Sequence, residues 1–531
     1  MDRRSLLAAG AAGTALAAAS ACTSGAARGE ASTSPRSPAP TAATSASGTG
    51  TAPAAWTALA RSLAGSLVRP EDAAYPTARQ LYNTRFDGLR PAAVAYVAND
   101  DDVRECLAFA RAHRTPVALR GGGHSYAGWS SGTGRLVLDL SRLNGVRADG
   151  DTATVGAGAR LLDVYLALGR GGRTIPGGSC PTVGVTGLTL GGGHGVATRA
   201  YGATCDSLTS ATLITADGRR LTADADHESD LFWALRGAGN GNFGVVTGLT
   251  FRTHDAPRTV TAHLTWPWAK ARAVIGAWQE WGPDQPDEIW SAAHLAAAAG
   301  GVKAGAAPTV GVSVFSLGTY GDLQNAVDRL ADRVGAPADS VSLRRHGYTE
   351  AMLAYAGCAG LSEDRCRLPG ATPGRSPRGA LQRETYAARS AFFDRALPAD
   401  GVRALLARTE AFGNVAVGQG GGEGSVALTA LGGALNRVSP TATAFVHRRS
   451  RVLAQYIASW RPDTPGTAQR AWLNTTHDAL SRYANGAAYQ NYTDPELRDW
   501  RRAYYGAAAP RLAELKRRYD PTRLFDFPQA L

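Results

Sequence analysis

The chain has 531 residues, a hydrophobic fraction of 44% and a formal charge of +12. That apolar content excludes a wholly disordered protein, and the length points to two or more folded units. Only three of the 56 basic residues are lysines, and the arginines are scattered rather than clustered, which argues against a nucleic-acid binder.

The chain opens on a basic pair, Arg3–Arg4, followed by an Ala/Gly/Leu stretch from Leu6 to Ala21 that is short for a membrane span. This pattern resembles a twin-arginine export signal. Ala19-Ser20-Ala21-Cys22 resembles a lipoprotein cleavage site, which makes Cys22 a candidate lipid anchor; ordinary cleavage nearby is the alternative. Thr23 to Pro53 is rich in Ser, Thr, Ala, Gly and Pro and reads as a linker. Residues 1–55 are thus expected to be signal and linker, and the protein to be secreted or held at the outer face of the cell membrane.

Short strands and helices then alternate. Ala92–Val97 reads as a strand, Asp100–His113 as a helix, and Pro116–Leu119 as a strand ending in a glycine run. Leu136–Leu140 and Thr152–Ala157 read as strands and Leu161–Leu168 as a helix. Leu208–Thr215 and Arg219–Thr222 flank a turn at Ala216-Asp217-Gly218. Glu228–Leu235 reads as a helix and Val245–Arg252 as a strand. After Pro257 the texture changes: five tryptophans (266, 268, 278, 281 and 290) precede strands such as Thr309–Phe315 and helices such as Leu323–Val334. Gly370–Gly379 reads as a surface loop, and Arg511–Tyr519 as a helix stopped by Asp520-Pro521. Cys358 and Cys366 are expected to form a disulfide, which export permits.

Two short motifs fail on context. Gly239–Gly244 matches the dinucleotide glycine pattern, but a helix precedes it and a strand follows, the reverse of what a Rossmann turn requires. Gly128–Gly132 matches the esterase Gly-x-Ser-x-Gly pattern, but it lacks the strand-to-helix setting of a nucleophile elbow. No metal-ligand spacing is present. Three glycine-rich segments remain: 120–126, 177–195 and 237–246. Glycine lets backbone amides approach a ligand closely, and successive amides make an anion nest. Three such loops in one α+β unit imply a large phosphate-bearing ligand.

These segments resemble a known family. Arg120-Gly121-Gly122-Gly123-His124-Ser125-Tyr126 and Gly178-Ser179-Cys180-Pro181-Thr182-Val183-Gly184 look like the two flavin-attachment motifs of berberine-bridge-enzyme-like FAD-linked oxidases. Leu231–Gly237 with Asn242–Thr247 resembles that family's third FAD loop. Tyr489–Asp494, Tyr504-Tyr505-Gly506, Asp520–Phe525 and Gln529 match its C-terminal region. The resemblance runs from about Tyr75 to Leu531. It implies an α+β fold, with a two-lobed FAD-binding domain of the vanillyl-alcohol-oxidase type over 75–256. An α+β substrate domain would be inserted over 257–480, and residues 481–531 would return to the FAD domain.

The resemblance also implies a cofactor and a chemistry. FAD would be tied twice, through His124 and Cys180; imidazole and thiolate are side chains nucleophilic enough to add to an electron-poor flavin. Further contacts are expected from Arg120, Gly121, Gly122, Gly123 and Ser125 in the first loop. The second loop would offer Val183, Gly184, Gly187, Gly191, Gly192 and Gly195. Gly244 and Val246 of the third, and Asn491, complete the set. Tyr492 matches the frequent catalytic base, with Tyr126 as a candidate partner; a hydrogen bond or nearby positive charge would have to lower its pKa from about 10. Val183 matches a position where small residues accompany use of O2. The implied reaction is hydride transfer from an alcohol or lactol, sugars included, with O2 reduced to H2O2. A tailoring oxidase of a secondary metabolite, a flavin dehydrogenase and a non-catalytic binding protein are the alternatives. His447-Arg448 is a recurrent family stretch whose role the sequence does not reveal. No metal and no obligate protein partner are implied.

Overall fold

The computed structural model describes residues 51–531. The export signal, Cys22 and most of the linker lie outside the described residues. The linker expected to reach residue 55 ends earlier, because a helix, Pro53–Ser62, starts there. Proline is pre-organised for a helix's first turn, and Trp56 and Leu59 bury against the first core.

A four-stranded sheet follows, in the order Ser66–Val68, Ala93–Tyr96, Leu136–Asp139, Val117–Arg120. The last three are parallel, so their carboxyl ends share one edge. The first glycine loop leaves the sheet from that edge, the usual place for a ligand in parallel sheets. The helix Asp100–His113 has the bounds its sequence predicts. Asn99 caps it by accepting the Asp102 N–H at 2.9 Å, three aspartates complement its positive end, and Arg114 stops it with φ of 51°.

A five-stranded antiparallel sheet comes next, ordered Val146–Asp149, Thr152–Gly156, Val245–Arg252, Leu208–Ile214, Arg220–Asp224. Gly218, at φ of 94°, turns the predicted hairpin. The helix Ser229–Ala238 is broken at Arg236 and Gly237, where the chain swings into the third glycine loop.

The third sheet has seven antiparallel strands, ordered Ser340–Gly347, Arg258–Trp266, Thr309–Ser316, Ile289–Ala298, Glu423–Ala430, Val452–Ser459, Tyr386–Phe393. Strand alternation divides its side chains between two faces. Along Ile289–Ala298, Ile289, Ala293 and Leu295 join a core shared with Trp278, Leu330, Leu405 and Trp472 of the covering helices, whereas Trp290 and Ala292 join the core of the five-stranded sheet. Trp266, Trp278 and Trp281 are buried in the helix-side core and Trp268 packs against it. Of the five clustered tryptophans, only Trp290 faces a cavity.

The C-terminal region packs back on the five-stranded sheet, with Tyr504, Leu512, Tyr519 and Leu531 in its core. Buried Lys516 fastens it: its ammonium donates to the Asn242 carbonyl at 2.8 Å and the Phe525 carbonyl at 2.7 Å, and pairs with Asp520 at 2.7 Å. Cys358 and Cys366 form the expected disulfide, while Cys106 and Cys205 are buried thiols. Among the described residues no helix is long and apolar enough to cross a membrane.

Candidate cofactor and active site

The three glycine loops converge. With the inner face of the seven-stranded sheet and the C-terminal region they enclose a cavity of about 340 Å³. His124, Cys180, Val183, Gly184, Gly187, Gly195, Gly244, Val246, Asn491, Tyr126 and Tyr492 all line it, as do Arg120–Gly123 and Ser125.

The first two loops meet backbone to backbone. A Cβ on Gly122 would lie 2.2 Å from the Gly184 nitrogen, and one on Gly184 would lie 2.4 Å from the Gly122 nitrogen. Neither loop has slack, because each is anchored to a strand or helix. Gly122→Ala is therefore expected to cost about 1–3 kcal/mol or more, and to lower flavin content; thermal unfolding and the flavin-to-protein ratio measure both. Gly187 differs: nothing lies within 4 Å of its Cβ position, and the space beside it is cavity. Such a cradle, with amides at its rim, fits a phosphate-bearing cofactor of the size of FAD.

Several expected contact residues have their side chains engaged in the protein. The Arg120 guanidinium turns inward, to Asp139 and, at 2.8 Å, the Ala78 carbonyl. Ser125 accepts the Trp129 N–H at 3.1 Å. Gly191 and Gly192 lie off the cavity wall. Their role is close packing: a Cβ would meet Asn491 Oδ1 at 2.0 Å and the Phe445 ring at 2.5 Å respectively. Asn491 acts as a clamp, donating to the Leu188 carbonyl and to Tyr489 Oη, both at 2.9 Å, and accepting from Asn240 at 2.9 Å. One amide thus ties the second loop, the third loop and the C-terminal region together.

His124 Nε2 bonds Thr182 Oγ1 at 2.8 Å, and the ring stacks on Tyr82 at 4.1 Å. Burial, with a smaller contribution from Arg160, pushes its pKa down to about 3. The imidazole is therefore neutral at physiological pH, and Thr182 leaves Nδ1 as the ring nitrogen for another bond. Beyond Tyr82 lies Glu384, pushed up to about 8 by burial and pulled partly back by its hydrogen bond to Tyr82. A carboxyl whose folded pKa exceeds its ordinary 4.5 binds more protons folded than unfolded between those values. Stability should accordingly fall as pH rises from about 4.5 to 8. Glu384→Gln should flatten that decline, measured as unfolding midpoint against pH.

The Tyr492 hydroxyl meets His194 Nε2 at 2.8 Å. Its ring stacks on Tyr126 at 5.3 Å and 7°, with Tyr489 edge-on at 4.9 Å. Tyr126, the candidate partner of Tyr492, thus meets it ring to ring, while the Tyr126 hydroxyl accepts from Gln455 Nε2 at 2.8 Å. No positive charge lowers Tyr492; burial first, then the neighbouring phenols, push its pKa well above the usual value. His194 is likewise pushed down to about 4 by burial and is neutral. Its other nitrogen, Nδ1, is buried without a partner. Across the cavity, Trp290 Nε1 and His294 Nε2 are also buried and unbonded. Among the described residues the one lining carboxylate is Asp526, exposed and paired with Arg523 at 3.0 Å. The buried acid–base side chains of the wall are thus mainly phenols and imidazoles. The hydroxyl of the Gly-x-Ser-x-Gly serine, Ser130, is buried and unbonded, so no imidazole activates it.

The sequence offers Tyr489 and Trp290 only as parts of a motif and a cluster, and gives no site role to His194, Gln455, Asn240 or His294. For His194 a signal existed: Gly191-Gly192-Gly193-His194 repeats the Gly121-Gly122-Gly123-His124 string. His447 and Arg448 lie off the cavity and brace it. Arg448 pairs with Asp206 through two bonds of 2.7 and 2.6 Å, and His447 stacks on Phe392 at 4.2 Å. No cluster able to hold a metal exists among the described residues.

Comparison with known proteins adds to this geometry. Residues 91–224 match the family model described as FAD binding domain, and residues 488–531 the one described as Berberine and berberine like. The chain is 31% identical to an uncharacterized FAD-linked oxidoreductase, YgaK, of Bacillus subtilis, over 88% of this chain and 97% of that one. It is 30% identical to a xylooligosaccharide oxidase of Thermothelomyces thermophilus, over 83% and 87% of the two chains. The structure of Physcomitrella patens BBE-like 1 superposes with a TM-score of 0.79 at 28% identity, covering 90% of this chain and 98% of that one.

Proposed function

The chain belongs to the berberine-bridge-enzyme-like FAD-linked oxidoreductases, and we propose that it oxidises the lactol or alcohol carbon of an oligosaccharide, with O2 as electron acceptor and H2O2 as co-product. The observation that carries this reading is the Tyr492–His194 pair, held against Tyr126 in the wall of the glycine-loop cavity. The likeness to the xylooligosaccharide oxidase supports the carbohydrate class. So do Trp290, an aromatic face, and His294, a polar group, on the opposite wall.

Bound FAD supplies the hydride acceptor and, once reduced, the electrons for O2. The chain's own groups handle the proton. Tyr492 Oη takes the proton of the substrate hydroxyl as it passes its own to His194 Nε2. Burial disfavours a phenolate on Tyr492 and an imidazolium on His194 alike, so the two groups share the proton rather than either carrying a full charge. With Nε2 as acceptor, the His194 tautomer keeps its own proton on Nδ1, the atom without a protein partner, where it suits a ligand oxygen. The stacked Tyr126 fixes the plane of the Tyr492 ring, and Gln455 fixes Tyr126. His124 and Cys180, on facing loops of one cavity, are the proposed double attachment; it requires the Cys180 thiol in its reduced form.

A peroxide-release screen over oligosaccharides, simple sugars and aromatic alcohols tests the substrate class. Peroxide with oligosaccharides supports it, and turnover confined to aromatic alcohols overturns it. Val183, on the cavity wall, has a small side chain where a larger one would narrow the approach of O2. Val183→Leu should slow reoxidation by O2 while flavin reduction by substrate stays within about twofold; stopped-flow measurement of both half-reactions decides. Export through Arg3–Arg4 with Cys22 as lipid anchor remains part of the proposal, and Cys22→Ala should move the protein from the membrane fraction to the medium.

A further inference from the structure

A second, smaller pocket lies behind the first glycine loop. It measures about 40 Å³, and Arg120 to Gly123 belong to its wall as well as to that of the cofactor cavity. Three guanidinium groups border it: Arg120 at the end of its strand, Arg160 at the start of the helix Leu161–Gly169, and Arg375 in the loop after Leu368. Arg120 is 4% exposed and Arg160 9%.

Their hydrogen bonds are incomplete. Arg120 spends Nε on Asp139 and Nη2 on the Ala78 carbonyl, and its Nη1 is buried with no partner. Arg160 Nη2 donates to Ser141 Oγ at 2.8 Å, and its Nη1 is also buried with no partner. Arg375 Nη1 donates to the Pro369 carbonyl at 3.0 Å. The Tyr96 hydroxyl, also in the wall, lies near Arg120 and Thr372, so Arg160 Nη1 is the clearer unmet donor. Asp139 is the one acidic wall residue, so three positive charges face one negative charge. Nearby Asp163 is engaged elsewhere, with Arg367 at 2.6 Å and the Arg160 backbone N–H at 3.0 Å.

Burying guanidinium N–H groups without acceptors is strongly unfavourable, and burying an excess of like charge more so. The pocket exceeds the roughly 10–15 Å³ that one water needs. A water could accept one N–H but would leave the charge uncompensated. We propose that this pocket binds a small monovalent inorganic anion of halide size, held between Arg120 and Arg160. The small size of the pocket suits a halide-sized ion, and the excess of guanidinium over its one carboxylate, Asp139, disfavours a cation. The anion compensates the buried charge and braces the backbone of Gly121–Gly123 from behind. Thr182, the partner of His124 Nε2, lies in the same wall, so the site reaches the flavin loop without touching the reacting atoms.

The test uses the flavin-loaded protein. Chloride is titrated at constant ionic strength against a bulky organic sulfonate, and the unfolding midpoint is followed. A saturating rise is expected, and Arg160→Gln should raise the half-saturating concentration at least tenfold. Identical chloride dependence in both proteins, or none in the unaltered one, overturns the proposal. Should the variant not fold, crystals of the unaltered protein grown with bromide decide. An anomalous peak between the Arg120 and Arg160 guanidinium groups supports the site, and ordered water alone overturns it.

Discussion

Tyr492→Phe should lower kcat by about 10²- to 10⁴-fold, the range expected when a positioned proton acceptor is lost. Flavin content should stay unchanged, because the Tyr492 hydroxyl bonds only the His194 side chain and not the backbone of the glycine loops. The variant keeps the ring that stacks on Tyr126, so packing is conserved and the loss reports on the hydroxyl. His194→Ala should act in the same direction, since it removes the group that accepts the Tyr492 proton. A pH dependence follows with a definite sign. His194 has its pKa pushed down to about 4 by burial, so above that pH it is neutral and able to accept. Activity should fall as pH drops through about 4 and the imidazole becomes protonated. A Tyr492→Phe enzyme within tenfold of wild type would remove Tyr492 from the chemistry.

The second large effect concerns attachment. In wild-type protein the yellow colour should remain with the acid-precipitated polypeptide. His124→Ala and Cys180→Ala should each leave it there, held by the remaining bond, and the double variant should release it to the supernatant. Intact mass should fall from polypeptide plus one FAD to polypeptide alone. Two features make His124 suited to this role. Burial keeps the imidazole neutral and hence nucleophilic, and Thr182 occupies Nε2, which leaves Nδ1 to bond. Colour in the wild-type supernatant would contradict the double attachment.

What was legible in the sequence follows from range. The helix Asp100–His113 carries its own cap, Asn99, its acidic first turn and its stop, Arg114, in one local stretch, so local chemistry reveals it. The glycine loops are legible for the same reason, because the close approach of Gly122 and Gly184 admits no side chain. The faces of the seven-stranded sheet are not legible. Trp290 and Ile289 are neighbours in sequence with similar hydrophobicity, and only sheet topology sends one to the cavity and the other to the helix-covered core. The Tyr492–His194 pair spans 298 residues, and the Asn491–Asn240 bond 251. No periodicity encodes such contacts. The family resemblance supplied Tyr492 with Tyr126 as its candidate partner, which stacks on that ring, but not the hydroxyl's hydrogen-bond partner, His194. The expected linker overlaps only the first three residues of the helix starting at Pro53, because their composition is that of the preceding segment.

The central claim is that the cavity makes an oxidase in which Tyr492 and His194 move the proton while flavin takes the hydride. The most direct measurement is anaerobic mixing with an oligosaccharide, followed by admission of O2. Wild-type protein should lose its oxidised-flavin absorbance in the absence of O2 and regain it in air, with one H2O2 released per flavin. Tyr492→Phe should bleach at least about a hundredfold more slowly but recover in air at the wild-type rate. Equal bleaching rates in the two proteins would contradict the account, as would a wild-type flavin that no oligosaccharide reduces.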